Sequence, residues 1–457
     1  MKKTLLLTSL VASMVAIAGT TGSVEAYNEN EATFEKGKDA TFVAKKTGVK
    51  TEVKVEGTGF SFGGEFKAED LELGKVKKAN YLNHSNVWAK YELPELKGVK
   101  TYAKATLSPK FVDDNDVYKF DGSVELEGQA SYKYDVLTFG LNSKTKFPFV
   151  KSATNNDNYG KEVKSTHKLF VESEEKKDVF VKGLKDVKAN FEIKHDYAKT
   201  VTKAGDRVDY VSGEASAKYD GVKDLELEGK VAFKKNFKSG EKIGDYEVLG
   251  TKLFKEVPAR YIHSYELKGT YTGVKHLSLS AKPFAVHVNV AKEVTQDNKL
   301  KRNDFVLYGV ELGAEYKMLN DKLTLTGKSL LAGVHHKTIN ETETEEVKKL
   351  VKENLGYFVF DANAKYDYSV TDKFTVSPEA NANLELLVSK PADKLVTVPS
   401  LTLTPKVSVE YKPTDTLTLK GSVEAPVKFE VNTTNNNKFE YKQTQLKTSL
   451  NLKYEWK

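Results

Sequence analysis

At 457 residues, 39% apolar and 30% charged, with a mean hydropathy of −0.50, the chain is too polar for helical membrane spans and too regularly patterned for disorder. Its 71 basic and 64 acidic residues are interleaved, so the formal charge of +7 argues against a nucleic-acid surface. The absence of cysteine excludes a disulfide framework, a lipidated cysteine and any thiolate metal centre.

Residues 1–26 read as an export signal, with Lys2 and Lys3 as the basic start, 5–18 as the apolar core and Val24-Glu25-Ala26 as a small-residue cleavage site. The mature chain is then expected to begin at Tyr27 with a charge of +6. The apolar run is too short for a retained anchor. Residues 27–50 are a periplasmic segment or a first strand, and 51–457 form the rest of the structure. No later stretch reaches the length of an apolar helix, so any membrane crossing has to be made with strands.

Beyond residue 50 the dominant period is two. In chain order it holds over 124–134, 187–193, 225–233, 306–316, 374–386, 417–431 and 446–456, each apolar on one side only. The alternation slips at Lys282-Pro283-Phe284, which predicts a bulge. A soluble sandwich would alternate too, so the connections have to decide. Short, stereotyped ones (LKGVK, KGLKDVK, YDGVKD, YTGVKH, YKMLNDK, YSVTDK, YKPTDT) alternate with long polar ones (SATNNDNYGKEVKS, KAGDRV, TQDNKLKRND, NTTNNNK and 238–260). That is the layout of a membrane barrel, with tight periplasmic turns on one rim and long external loops on the other.

An aromatic precedes each short turn on the apolar face: Tyr91, Tyr134, Phe180, Tyr219, Tyr271, Tyr316, Tyr366, Tyr411 and finally Tyr454, with Trp456 beside it. Rings held at one height suit a membrane interface, where the ring body is apolar and the hydroxyl stays wet. Nine such descending strands, each with an ascending partner, predict an all-β transmembrane antiparallel up-and-down β-barrel of about 18 strands, with 16 to 20 as bounds.

The export signal, the alternation of short turns with long loops, the tyrosine girdle and the ending QLKTSLNLKYEWK resemble a Gram-negative outer-membrane porin. The likeness spans nearly all of the mature chain and is one of pattern rather than of a residue-specific motif. It implies location in the outer membrane of a Gram-negative bacterium, contact with outer-membrane lipid, handling by the barrel-assembly machinery during biogenesis, and a homotrimer.

A barrel of this width cannot fill its interior with side chains, so a polar inner face implies a water-filled channel for passive diffusion of ions and small hydrophilic solutes. The candidate pore-lining residues are Lys406, Glu410, Lys420, Glu424, Lys428, Lys447 and Lys453; the same face also carries Lys412, Glu430 and Glu455. Six lysines against four glutamates predict a weak anion preference, while the alternative is that the charges pair across strands and keep the lumen hydrated. Residues 341–354 carry Val347, Leu350 and Val351 at helical spacing, fitting either a short helix at the mouth or a solvated cap. Asp113, Asp114 and Asp116 lack the spacing of a calcium loop. The eight histidines, His335-His336 included, form no H-E-x-x-H, and neither G-x-S-x-G nor a phosphate-cradling loop occurs. The expectation is therefore no enzyme, no cofactor and no metal. Competing readings are a substrate-specific channel, which aromatics along the lumen would mark, and an adhesin or host-interaction barrel working through its long loops.

Overall fold

The computed structural model describes residues 19–456 apart from 73–83, 115–116, 121, 149–162, 198–207, 238–245, 249–250, 255–260, 292–301, 339–355, 390–395 and 433–437. The first wall strands are β1 (Thr20–Glu35), β2 (Thr41–Val55), β3 (Phe60–Glu72), β4 (Asn86–Glu92) and β5 (Val99–Ser108). They are followed by β6 (Ser123–Tyr134), β7 (Leu137–Pro148), β8 (Lys164–Ser173), β9 (Leu184–Asp196) and β10 (Val208–Val222). Next come β11 (Leu225–Asn236), β12 (Tyr261–Val274), β13 (Leu277–Ala291), β14 (Arg302–Met318) and β15 (Leu323–Thr338). The last five are β16 (Gly356–Tyr366, continued by Tyr368–Thr371), β17 (Phe374–Ser389), β18 (Val396–Thr414), β19 (Leu417–Glu424, continued by Val427–Asn432) and β20 (Lys438–Trp456).

Each strand pairs antiparallel with its neighbours in sequence, and β1 pairs with β20 from Gly22↔Trp456 to Glu35↔Gln443, so the sheet closes. Closure leaves no backbone edge, which is what a solvent without hydrogen bonds requires. Two small hairpins, Phe111–Asp114 with Val117–Phe120 and Tyr246–Val248 with Thr251–Phe254, stand outside the wall.

The wall has 20 strands rather than about 18. The discrepancy is the first hairpin. Nine of the ten descending strands are those the aromatic pattern marked, but the descending strand β2 carries Val53 and Val55 at that height and so left no mark. Residues 27–50, read as a periplasmic segment or a first strand, lie mostly in β1 and β2. The expected cleavage after Ala26 would fall inside β1, whose Val24, Glu25 and Ala26 pair with Thr51, Lys50 and Val49. Phe180 lies in the connection after β8, with 86% of its surface exposed, rather than on a strand.

Short turns join the strands at one rim. Asp224 and His276 take φ of 61° and 62° there, the left-handed conformation that a tight reversal demands. In the longer connection after β8, Glu174 receives hydrogen bonds from Lys133 and Lys177, which hold its carboxyl down to about 2. Because that value lies below the ordinary carboxylate range, both ion pairs persist as pH falls through 4 and are lost only as it approaches 2.

No bulge occurs at Lys282-Pro283-Phe284: the pairing of β13 with β14 runs unshifted from Leu277↔Tyr316 to Ala291↔Arg302. The slip in polarity has another cause. Phe284, Val286 and Val288 point inward and are 5%, 2% and 3% exposed, while Pro283 takes the outward position. Facing β12, the pairing skips from Glu266↔Phe284 to Gly269↔Ala281, as expected where proline has no amide to donate.

Candidate functional site

The two faces of the wall follow from register. Residues paired across strands share a face, and the exposed Leu169, Phe191, Phe233, Tyr265, Tyr308, Leu331, Val407 and Leu450 mark the outside. The opposite phase carries the charges.

On the last strands Lys406 pairs with Glu424 and Glu424 with Lys447, one strand further; Glu410 pairs with Lys420, and Lys453 with Thr418. Lys428 pairs with Thr402 and Gln443. All seven candidate pore-lining residues therefore share the inner face. Lys420 Nζ lies 3.0 Å from Glu410, Lys447 3.5 Å from Glu424, Lys428 2.8 Å from Glu430, Lys453 2.7 Å from Glu455 and Lys406 3.9 Å from Glu379. Lys412 also bonds Glu410. Each lysine thus has a carboxylate beside it, so the fields largely cancel within the wall. Such solvated pairs contribute little to stability. Their chief effect is on the electrostatic potential along the inner wall.

Aromatics also face inward. Tyr27, Trp88, Tyr102, Phe170 and Tyr210 occupy the charged phase of β1, β4, β5, β8 and β10. Tyr102 Oη donates to Glu127 at 2.7 Å, and Asn142 Nδ2 donates to the same carboxylate at 2.9 Å. Tyr27 and Tyr210 donate to Glu65 and Glu192, each at 2.5 Å. Lys104 Nζ stands 4.8 Å from the Trp88 ring and Lys90 Nζ 4.2 Å from that of Tyr102. The signal was present: Asn86, Trp88, Lys90 and Glu92 alternate with Val87, Ala89 and Tyr91, placing the indole among charges.

Across the lumen, Asn381 Nδ2 donates to Asp361 at 3.0 Å and Asn363 Nδ2 to Glu379 at 2.7 Å. Among the described residues, no group of three or more His, Cys, Asp or Glu is placed to hold a metal ion. Asp113 and Asp114 lie in the small outer hairpin; Asp116 and the segment 341–354 lie outside the described residues.

The inner face of β13–β16 differs from the rest. Phe284 is in register with Gly309 and then Ala332, and Val286 with Leu307. Leu330 is in register with Val359. Leu330 and Val359 are both 0% exposed, so water does not reach these two side chains. Phe284 lies over Gly309, where an added Cβ would stand 2.8 Å from its ring and 2.5 Å from the Leu331 carbonyl oxygen. Gly309→Val is therefore expected to destabilise the barrel by about 1–3 kcal/mol. Urea unfolding in detergent micelles, with Gly327→Val as the control because nothing lies within 4 Å of that glycine, measures the difference.

Of the aromatics expected at the interface, Tyr91, Tyr134, Tyr219, Tyr271, Tyr316, Tyr411 and Tyr454 are exposed on the outer face. Tyr366 is half-buried and stacks on Tyr368 at 6.4 Å. Trp456 differs: it is 9% exposed, stacks on Tyr454 at 6.3 Å and donates from Nε1 to Thr20 Oγ1 at 3.4 Å, at the seam of the barrel.

No protein-family model and no curated protein matches the sequence. Solved structures do match. The siderophore receptor PirA of Acinetobacter baumannii aligns at a TM-score of 0.50 and 11% identity, over 96% of this chain and 81% of that one. The FrpB iron transporter of Neisseria meningitidis aligns at 0.50 and 10% identity, over 97% and 82%. The fold is that of a bacterial outer-membrane β-barrel. A. baumannii OccAB2 also matches, at a TM-score of 0.43 and 8% identity, over 96% of this chain and 99% of that one. At these identities the likeness extends to the barrel and not to what passes through it.

Proposed function

We propose that this outer-membrane-type barrel resides in the outer membrane and is a channel through which ions and small hydrophilic solutes diffuse passively. Insertion by the barrel-assembly machinery and a homotrimeric assembly belong to the same proposal. The observation that carries it is a closed sheet whose outer face is apolar and whose inner face is lined by paired charges, hydroxyls and amides. A wall that presents solvated ion pairs to its interior holds water there. Flux follows the gradient, and bore and wall charge select.

Single-channel current from the refolded chain in a planar bilayer tests this. Ohmic steps with a reversal potential near zero in a salt gradient are expected, because Lys406, Lys412, Lys420, Lys428, Lys447 and Lys453 each have a carboxylate beside them. The triple variant Glu410→Gln, Glu424→Gln and Glu430→Gln leaves Lys412, Lys420, Lys428 and Lys447 without those partners and should move the reversal potential toward anions. A silent bilayer with folded protein would refute the open channel; an unmoved reversal potential would show that these rows lie off the ion path.

A substrate-specific channel is the second reading, favoured by the inward Trp88 and Tyr102 with Lys90 and Lys104 over their rings. A saccharide that blocks the current of the native barrel but not of a Trp88→Ala barrel would select it.

A further inference from the structure

Five of the chain's eight histidines point outward toward the long-loop ends of β8–β15, although this face meets lipid everywhere below them. His263 pairs with His287, His287 with Val306, and Val306 with His335, giving one row across four strands. The His263 and His287 rings stack at 6.0 Å with 14° between planes. A neighbouring row runs from Ser143 through His167, Ile193, Val211, Lys235, Tyr261 and Asn289. His167 lies 5.7 Å from His195 between ring centroids, and Ser143 Oγ lies 2.9 Å from His167 Nδ1. Lys235 Nζ stands 4.7 Å from the Phe237 ring and 5.6 Å from that of Tyr261.

The row lies in the upper part of the apolar band. His263 is eight residues up β12 from Tyr271, about 27 Å along the strand and about 20 Å along the barrel axis at a tilt of about 40°, against an apolar band of about 25 Å. Directly below it the outer face is Leu169, Phe191, Phe233, Tyr265, Tyr308 and Leu331, all exposed. At the corresponding height elsewhere the same phase carries Phe34, Phe42 and Phe439, which are uncharged and exposed. A histidine facing lipid gains nothing from hydrocarbon and costs desolvation, so a row of three close to the long-loop ends fits the polar edge of a bilayer better than its core.

We infer that the outward long-loop rim of β8–β15 binds the phosphate headgroups of anionic lipid in the outer leaflet, with His263, His287 and His335 as the principal contacts and Lys235 as the permanent charge. This rests on the reading that the barrel sits in the outer membrane. Imidazolium and ammonium donors at headgroup height complement phosphate in charge and hydrogen bonding, as apolar or acidic side chains would not. Because histidine changes charge near pH 6.5, the affinity rises on acidification.

Charged and titratable groups neighbour this row among the described residues. Lys235 and Tyr261 stand beside His263 and His287, Tyr265 and Tyr308 below them, and Asp304 and Lys337 occupy the register positions above Val306 and His335. Around the second pair are Tyr197, stacked on His195 at 6.0 Å, and the buried Asp209, which acts on His195 electrostatically.

The test uses the full chain refolded into phosphatidylcholine vesicles containing a minority of phosphatidic acid. After detergent extraction, lipid retained per barrel is counted by native mass spectrometry at about pH 5.5 and about pH 8. Preferential retention of phosphatidic acid at the lower pH is expected, falling roughly threefold or more at the higher one as the imidazoles lose their charge. His263→Asn, His287→Asn and His335→Asn together should remove both the preference and its pH dependence, while His276→Asn, in a turn at the other rim, should change neither. Equal retention by native and triple-variant barrels, or a native preference that ignores pH, would overturn the inference. If the variant does not fold, the pH profile of the native barrel decides alone. Stabilisation by zinc ion without phosphatidic acid, lost in the variant, would assign the row to metal instead, and cross-linking of copies through this face would assign it to self-association. Failure of the native chain to float with vesicles would contradict membrane residence itself, a result separate from lipid preference.

Discussion

A barrel whose chain begins at Tyr27 is expected to unfold at a temperature lower by about 10 °C or more than one beginning at Gly19, if it closes at all. Thr20 to Ala26 pair on one side with residues 55 down to 49 of β2, and from Gly22 onward on the other side with residues 456 down to 452 of β20. Removing them strands the lower ends of both neighbours, and each backbone group left unpaired in hydrocarbon costs roughly several kcal/mol. Side chains at the seam add to this. The Trp456 indole lies on Gly22, where an added Cβ would stand 2.6 Å from the ring, and Asn451 Nδ2 donates to Glu25 at 2.5 Å. Heat-dependent gel mobility of the two chains measures the difference, with equal transitions counting against the seam described here. The intact mass of the protein from its native membrane is a second check. A mass beginning at Tyr27 would leave residues 49–55 of β2 and 452–456 of β20 without these partners.

Leu330→Asp should be among the most damaging single changes inside the barrel, costing roughly 3–5 kcal/mol, even though it is made on the inner face. In a uniformly water-filled lumen an added carboxylate on that face would be tolerated. Leu330 is instead 0% exposed, between Glu311 of β14 and Val359 of β16 in register, and above it lie Ala332 and the Phe284–Gly309 contact. The control is Lys328→Asp on the same strand and face, two residues toward the short turns. Urea unfolding in micelles should show a large loss for the first and a small one for the second. Equal tolerance would mean that water reaches Leu330, and the patch on β13–β16 would then belong to the open channel.

The alternation of apolar and charged residues, the spacing of the turns and the lack of any apolar helix were sufficient to establish a closed antiparallel barrel from the sequence. The reason is that each of these is a local consequence of putting one face of a strand in lipid. The same locality explains the placement of the seven lysines and glutamates, whose phase on β18–β20 is legible residue by residue. The first hairpin was not legible, because β2 carries valines where its counterparts carry tyrosines.

Closure decided the rest. That Trp456 is a seam residue packed on Gly22 depends on strands separated by nearly the whole chain. The inward turn of Phe284, Val286 and Val288 looks from sequence like a bulge, since polarity alone cannot tell a shifted register from an apolar patch on the inner wall. The alignment of His263, His287 and His335 into one row depends on the mutual register of four strands, which only the hydrogen-bonded sheet sets.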